Sequence, residues 1–264
     1  PGEIGKILFI ITLSCHIHQL KDRLNAPSSI LQLVGHMLIP VGLILFAAKD
    51  AGMAIIYFLI FLVVTFIAGV KLRYYLITAG ALLAMSPLVW FFFMKEYQRL
   101  RILVVFNPEL DPLGKGYHAI QSKIAIGAGQ IFGRGLFNGS QTQNGWLPAK
   151  HTDFIFAVAG EELGMIGCLV IILLLLIIII RAVLVSANSR DDTMSQIAGG
   201  IAAILIFQTF ENIGMCLGFF PIIGLTLPFF SYGGSSLLTS FIAVGILGNI
   251  AVRNGLDRSN MLIK

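Results

Sequence analysis

The sequence predicts an all-α polytopic membrane protein with about seven transmembrane helices and one long extracellular loop. Three observations carry that prediction. The 264 residues are 57% hydrophobic and only 12% charged, where an ordinary soluble domain carries roughly a quarter charged. Apolar stretches recur at 7–15, 33–48, 52–70, 76–94, 154–180, 197–220 and 237–252, several of them close to the ~20 residues that cross a bilayer as a helix. One connection, 95–152, is far longer than the rest, and loops of that length are usually functional. The expectation is a single transmembrane domain over 1–264, with 95–152 capping its outer face.

The first stretch follows Pro1-Gly2-Glu3 with no basic segment ahead of it, so it does not read as a signal peptide. The chain is expected to begin within a longer protein. Glu3 and Lys6 stand three apart, on one face of a helix. They read either as a local ion pair that shields both from lipid, or as groups on an outward cavity where Lys6 meets a phosphate. Lys49-Asp50 is a tight turn before the third stretch, where a carboxylate can cap first-turn N–H groups.

Within the long loop, NPELDPLG (107–114) is turn chemistry. His118 to Ile126 has the pattern of a short amphipathic helix, followed by Gly127, Gly129, Gly133 and Gly135, which break regular structure. The segment PIIGLTLPFFSYGGSS (221–236) reads as a re-entrant turn whose amides and hydroxyls, Ser235 among them, can bond an anionic headgroup; a plain glycine hinge before a helix is the alternative.

Charge sets the orientation. Lys21 and Arg23, Lys71 and Arg73, Arg181 and Arg190, and Arg253, Arg258 and Lys264 fall on one side if seven helices alternate, and the positive-inside rule makes that side cytoplasmic. The loop 95–152 is then outside. The net charge of +5 belongs to membrane ends rather than to nucleic-acid binding, since no basic-aromatic module is present. Cys15, Cys168 and Cys216 lie in apolar stretches at no metal-ligand spacing and read as packing residues.

Four carboxylates need a reason. Asp153 stands at the lip of the fifth stretch and reads as an N-cap or as a working group at the outer surface, level with Glu3, Lys6, Asp50, Lys150 and His151. Glu161 and Glu162 lie eight and nine residues further on, ~12 Å deeper in a continuous helix. They are expected to bond to neighbouring helices and position this one. Glu211, with Gln208 and Asn212 nearby, reads as part of a polar seam between helices.

The runs HTDFIFAVAGEELG (151–164), YQRLRILVVFNPELDPLGKGYHAIQSKIAIGAG (97–129) and LPFFSYGGSS (227–236) resemble the SEDS family, the polytopic polymerases of bacterial cell-wall synthesis. The resemblance covers essentially the whole chain and implies the C-terminal part of a ten-helix fold. SQTQNGWLPAKHTDFIF and NIGMCLGFFPIIGLTLPF resemble the elongation members more than the division members. It implies a peptidoglycan glycosyltransferase that polymerises lipid II on the outer face of the bacterial cytoplasmic membrane, partnered by a class B penicillin-binding protein and other elongation proteins. By this resemblance Asp153 is the family's essential extracellular-loop aspartate, Glu3 and Lys6 belong to its QPSE-x-x-K stretch, and Asp50 to its QPDLG turn, here Lys49-Asp50-Ala51-Gly52.

Glycosyl transfer from a lipid-linked diphosphate needs a base for the acceptor hydroxyl, positive charge on the departing diphosphate, and a groove for both sugars. Asp153 is the candidate base. Lys6, Arg101 and Lys150 are candidate cations, and the clustered carboxylates can hold a divalent cation, Mg or Mn. A flippase for the same lipid is the rival, with Glu161, Glu162 and Glu211 as its working residues; a non-catalytic scaffold is a third reading.

Overall fold

The computed structural model describes residues 2–262, with the backbone alone described at Phe93 and over 255–262. Pro1, the tail cation Lys264 and the Arg258 side chain lie outside the described residues. No strand occurs among the described residues. The α-helices in order are α1 Gly2–Gln19, α2 Pro27–Leu43, α3 Ala51–Ile67, α4 Leu72–Leu88, α5 Glu96–Phe106, α6 Lys115–Gly129, α7 Ser140–Gln143, α8 Ile155–Ala187, α9 Asp192–Leu217 and α10 Gly234–Leu262.

Each of the seven apolar stretches overlaps one of α1–α4 or α8–α10, and several run a few residues past the helix ends. Among the described residues five helices are long and apolar enough to cross a membrane: α2 with its continuation to Ala48, α4 with its continuation to Phe92, α8, α9 and α10 over Gly234–Asn254. The other two, α1 and α3, have 18 and 17 residues. The chain is an all-α, multi-pass membrane protein.

Local chemistry explains the helix ends. Pro27 opens α2 at a position where its missing N–H costs nothing. Pro40 and Pro87 sit inside α2 and α4, and a wider π-helical turn follows each, over Ile44–Ala48 and Val89–Phe93. Lys49 then takes a left-handed conformation (φ 55°), and the Asp50 side chain accepts the Met53 amide at 2.9 Å to cap α3. No residue of α4 is buried.

The chain divides into two compact units, Pro1–Val70, Leu174–Thr209 and Pro228–Lys264 on one hand, Lys71–Leu173 and Phe210–Leu227 on the other, with the division running through α8 and α9. In the first unit Ile10, Leu13, Ile60, Val64 and Ile201 form the buried core. Lys21 pairs with Asp192 at 2.6 Å, Asn25 donates to the Gly69 carbonyl at 3.2 Å, and the Ser189 hydroxyl lies 3.5 Å from Asn254 Oδ1. These bonds gather the basic connections at one end of the unit, the grouping expected from their charge.

In the second unit α8 is not continuous. Gly164 has φ 69° and ψ −168°, a break in the helix, and the segment 130–135 takes up the hydrogen bonds the break releases. Met165 and Ile166 donate to the carbonyls of Gln130 and Ile131 at 2.8 and 3.2 Å, while Arg134 and Gly135 donate to those of Glu161 and Glu162 at 3.0 Å. A side chain at Gly164 would collide with the backbone of 131–133. Beyond the break, 165–187 alone is about 34 Å long at ~1.5 Å per residue, enough to span the ~30 Å hydrocarbon core. Glu161 and Glu162 therefore stand on a separate short helix ahead of the span, rather than two turns inside it.

Gly164, Gly199 and Gly200 are used in packing within the chain. Gly199 packs under Ile67 and Ser186, and Gly200 under Ile10 and Val64.

Candidate functional site

Asp153 lies half-buried just before α8, and its position is fixed through its backbone. Asn212 of α9, fully buried, donates from Nδ2 to the Asp153 carbonyl at 2.8 Å and to the Leu225 carbonyl at 2.8 Å. The Cys216 thiol, one helical turn on, lies 3.8 Å from the same Asp153 oxygen. Gly224, with φ 78°, leaves space beside the carboxylate, because a β-carbon there would approach Asp153 Oδ2 to 3.2 Å.

The facing element is α6. Its first turn is held by Asp111, whose carboxylate accepts the Lys115 amide at 2.7 Å. His118 meets the Phe154 ring edge to face, centroids 6.1 Å apart. Burial raises the Asp153 pKa above the ordinary carboxylate value, and a hydrogen bond from Thr152 and the charges of Lys115 and His118 oppose that rise. His118 is lowered by burial and by Lys115, against Asp111 and Asp153. Lys115 is lowered by burial and by the like charge of Arg101, against Asp153 and Asp111. A carboxylate made more basic by partial burial, with basic groups facing it, is an arrangement suited to taking a proton.

Glu161 has a different task. It is fully buried and accepts the amides of Gln141 at 2.8 Å and Thr142 at 2.9 Å, with the Thr142 hydroxyl and, at 3.4 Å, the Ser140 hydroxyl. Glu162 takes a weaker bond from Gln143 Nε2 at 3.4 Å. Both bond to the short helix α7, a neighbouring helix as the sequence suggested, and tie it to the start of α8. Glu161 so held is a poor carrier for transport. In the expected polar seam Asn212 makes the bonds, while both carboxylate oxygens of Glu211 are buried with no hydrogen-bond partner, and the Asp153 charge acts on them electrostatically.

The other candidates separate. In the second unit Lys150 donates to the Thr142 carbonyl at 2.6 Å, so its ammonium supports the cap. His151 is exposed. Arg101 lies against the Tyr97 ring, 5.8 Å from its centroid, and lines a cleft with Lys115 and Lys123. In the first unit Lys6 is fully buried, its Nζ 2.7 Å from Glu3 Oε2, with Asp50 near enough to act on the same ammonium. Ser235 is exposed in the first turn of α10. Glu3, Lys6 and Asp50 are thus brought together, as are Asp153, Lys115 and Arg101.

Sequence reasoning missed Lys115 and Lys123, and it named His118 and Asn212 without placing either beside Asp153. The signal for the first two was spacing: 115, 119 and 123 recur every fourth residue and share a helix face. Among the described residues no group of three or more His, Cys, Asp or Glu side chains stands close enough together to hold a metal.

A sequence model of a cell cycle protein family, FtsW, RodA and SpoVE, matches residues 1–255. The chain is 40% identical over 252 residues to the peptidoglycan glycosyltransferase MrdB of Escherichia coli K12, covering 95% of this chain and 67% of that protein. It is 39% identical over 254 residues to the probable peptidoglycan glycosyltransferase FtsW of Geobacter sulfurreducens, covering 96% and 67%. A solved chain described under the structural coordination of polymerization and crosslinking by a peptidoglycan synthase complex superposes with a TM-score of 0.79 at 30% identity, over 96% of this chain and 70% of that one. The rod shape determining protein RodA of Thermus thermophilus superposes with a TM-score of 0.62 at 24% identity, over 94% and 63%, a likeness of fold alone.

Proposed function

This chain belongs to the FtsW, RodA and SpoVE family of cell cycle proteins, and on that premise we propose that it is a peptidoglycan glycosyltransferase polymerising lipid II on the outer face of the bacterial cytoplasmic membrane. Asp153 takes the proton from the acceptor sugar hydroxyl. The hydroxyl oxygen forms the new bond to the donor's anomeric carbon, the bond from that carbon to the diphosphate breaks, and the electron pair leaves with the diphosphate. The observation that carries the reading is the half-buried Asp153, raised in pKa, held through its backbone by Asn212 and faced by Lys115. Cations stabilise the charge that grows on the leaving oxygens.

Of the candidate cations Lys6, Arg101 and Lys150, Arg101 is the one whose side chain lines an open cleft, whereas Lys6 and Lys150 are engaged with Glu3 and the Thr142 carbonyl. A role in cell elongation is supported by the stretches 140–156 and 212–229, and a class B penicillin-binding protein is the partner of choice, as the superposed chain comes from a synthase complex. Processive polymerisation of purified lipid II by the full-length protein, lost in Asp153→Asn, tests the activity.

A further inference from the structure

We infer that His16 of α1 and His36 of α2 form a two-histidine chelate for an imidazole-seeking transition-metal ion such as zinc. Their Nδ1 atoms stand 3.1 Å apart across the two helices, and both side chains are half-buried. Ionisable groups on the helices of a membrane protein need a reason beyond packing, and no step of the glycosyl transfer uses this pair. His16 lies within one helical turn of the end of α1 at Gln19, next to the basic connection that carries Lys21 and Arg23. An ion therefore enters from that end of the unit.

The hydrogen bonds assign the tautomers. The Thr12 hydroxyl donates its one hydrogen to the Leu8 carbonyl at 2.9 Å and, more weakly, to the Phe9 carbonyl at 3.2 Å. Toward His36 Nε2, 3.3 Å away, it is therefore the acceptor. His36 carries its proton on Nε2 and turns the Nδ1 lone pair to His16, which donates from its own Nδ1. An acceptor on the far ring nitrogen is what orients a metal-bound histidine and makes it a stronger ligand. Phe9 packs on the His36 ring, centroids 5.8 Å apart, and on Tyr57 of α3 at 5.2 Å, so His36 is held in place before any ion arrives.

Geometry and ligand chemistry choose the ion. Two nitrogens ~2.0–2.1 Å from a tetrahedral zinc ion lie roughly 3.3 Å apart, so the pair opens by only about 0.2 Å to admit one. The proton between the rings passes through solvent to His16 Nε2, both Nδ1 lone pairs then face the ion, and no proton leaves the neutral pair. Imidazole nitrogen suits zinc, copper and nickel, whereas magnesium and calcium seek oxygen. Among the described residues no third His, Cys, Asp or Glu completes the set. The site is thus open and exchangeable, with water in its remaining positions, unlike a closed four-ligand structural site. Because the folded chain alone presents both rings together, a bound ion ties α1 to α2 and stabilises the fold.

Full-length protein in neutral detergent, purified on a tag free of histidine, is titrated with zinc chloride by calorimetry and melted with and without the ion. The variants are His16→Gln, His36→Gln, Thr12→Val and, as a control, His18→Gln, whose histidine turns instead to the Thr193 hydroxyl, 3.3 Å away. One zinc ion per chain is expected, with a melting temperature that rises as zinc is added. Binding should weaken roughly tenfold or more in His16→Gln and in His36→Gln and stay unchanged in His18→Gln. Thr12 is exposed, and Thr12→Val keeps both ligands while removing the acceptor that orients His36. It should weaken zinc binding about tenfold, which keeps the test open if the histidine variants unfold. Binding that survives both histidine changes overturns the site, as does binding lost equally in His18→Gln. A melting temperature that follows pH through the histidine range but ignores zinc gives the pair to a proton, and overturns the metal site too.

Discussion

Asn212 of α9 holds the main-chain carbonyl of Asp153 at 2.8 Å and that of Leu225 at 2.8 Å with one amide group. The side chain thereby ties the start of α8 and the 221–227 segment to α9. Asn212→Ala leaves two buried carbonyls short of a donor, which costs about 1–3 kcal/mol. The expected outcome is a lower melting temperature together with a fall in kcat that exceeds any change in KM, measured on purified protein. Unchanged kcat in a folded variant would show that Asp153 does not need this bond to stay in place.

Glu161 is the anchor of the outer segment. Glu161→Ala strands the amides of Gln141 and Thr142 in a buried site, at a cost of about 2 kcal/mol or more. Glu161→Gln keeps one acceptor oxygen and is milder. Limited proteolysis across 134–150 checks this: cleavage should accelerate strongly in the alanine variant and moderately in the glutamine variant.

Glu211 makes no hydrogen bond with its buried carboxylate oxygens. Replacing an unpartnered buried carboxyl group with an amide of the same shape breaks no bond and removes the cost of any ionised form. Glu211→Gln should therefore melt at the wild-type temperature or above it in a thermal scan. A marked fall would return Glu211 to the seam that the sequence suggested.

The raised pKa of Asp153 makes a signed prediction. The folded state holds the Asp153 proton more tightly than the unfolded chain, so this group lowers stability as pH rises from the unfolded value through the folded one. Asp153→Asn cannot ionise. It should melt above wild type at neutral pH, with the gap closing below pH ~3.9, the ordinary carboxylate value. The acid limb of the activity profile should lie above that value, and Lys115→Gln should move it higher still, because the Lys115 charge favours the ionised carboxylate.

The spanning helices were legible because lipid imposes continuous apolar stretches that no other part of the chain shares, and Asp153 was legible because a charge at the lip of such a stretch needs a reason. The break at Gly164 was not. A helix glycine and a left-handed one look alike until the segment 130–135 that supplies the missing bonds is in view. Glu161 was misplaced for the same reason, its partners being about 20 residues away in sequence. The basic cleft stayed hidden because the amphipathic pattern of α6 was read from His118, which left Lys115 outside the helix and its shared face with Lys123 unseen.

Polymerisation of purified lipid II by the full-length protein, wild type against Asp153→Asn, tests the central claim most directly. The wild type should build long glycan strands. Asp153→Asn should fold, bind polyprenyl diphosphate and yield strands at a rate lower by about a hundredfold or more, the contribution expected of a general base. A folded Asp153→Asn protein that polymerises lipid II at a rate close to wild type would contradict the account.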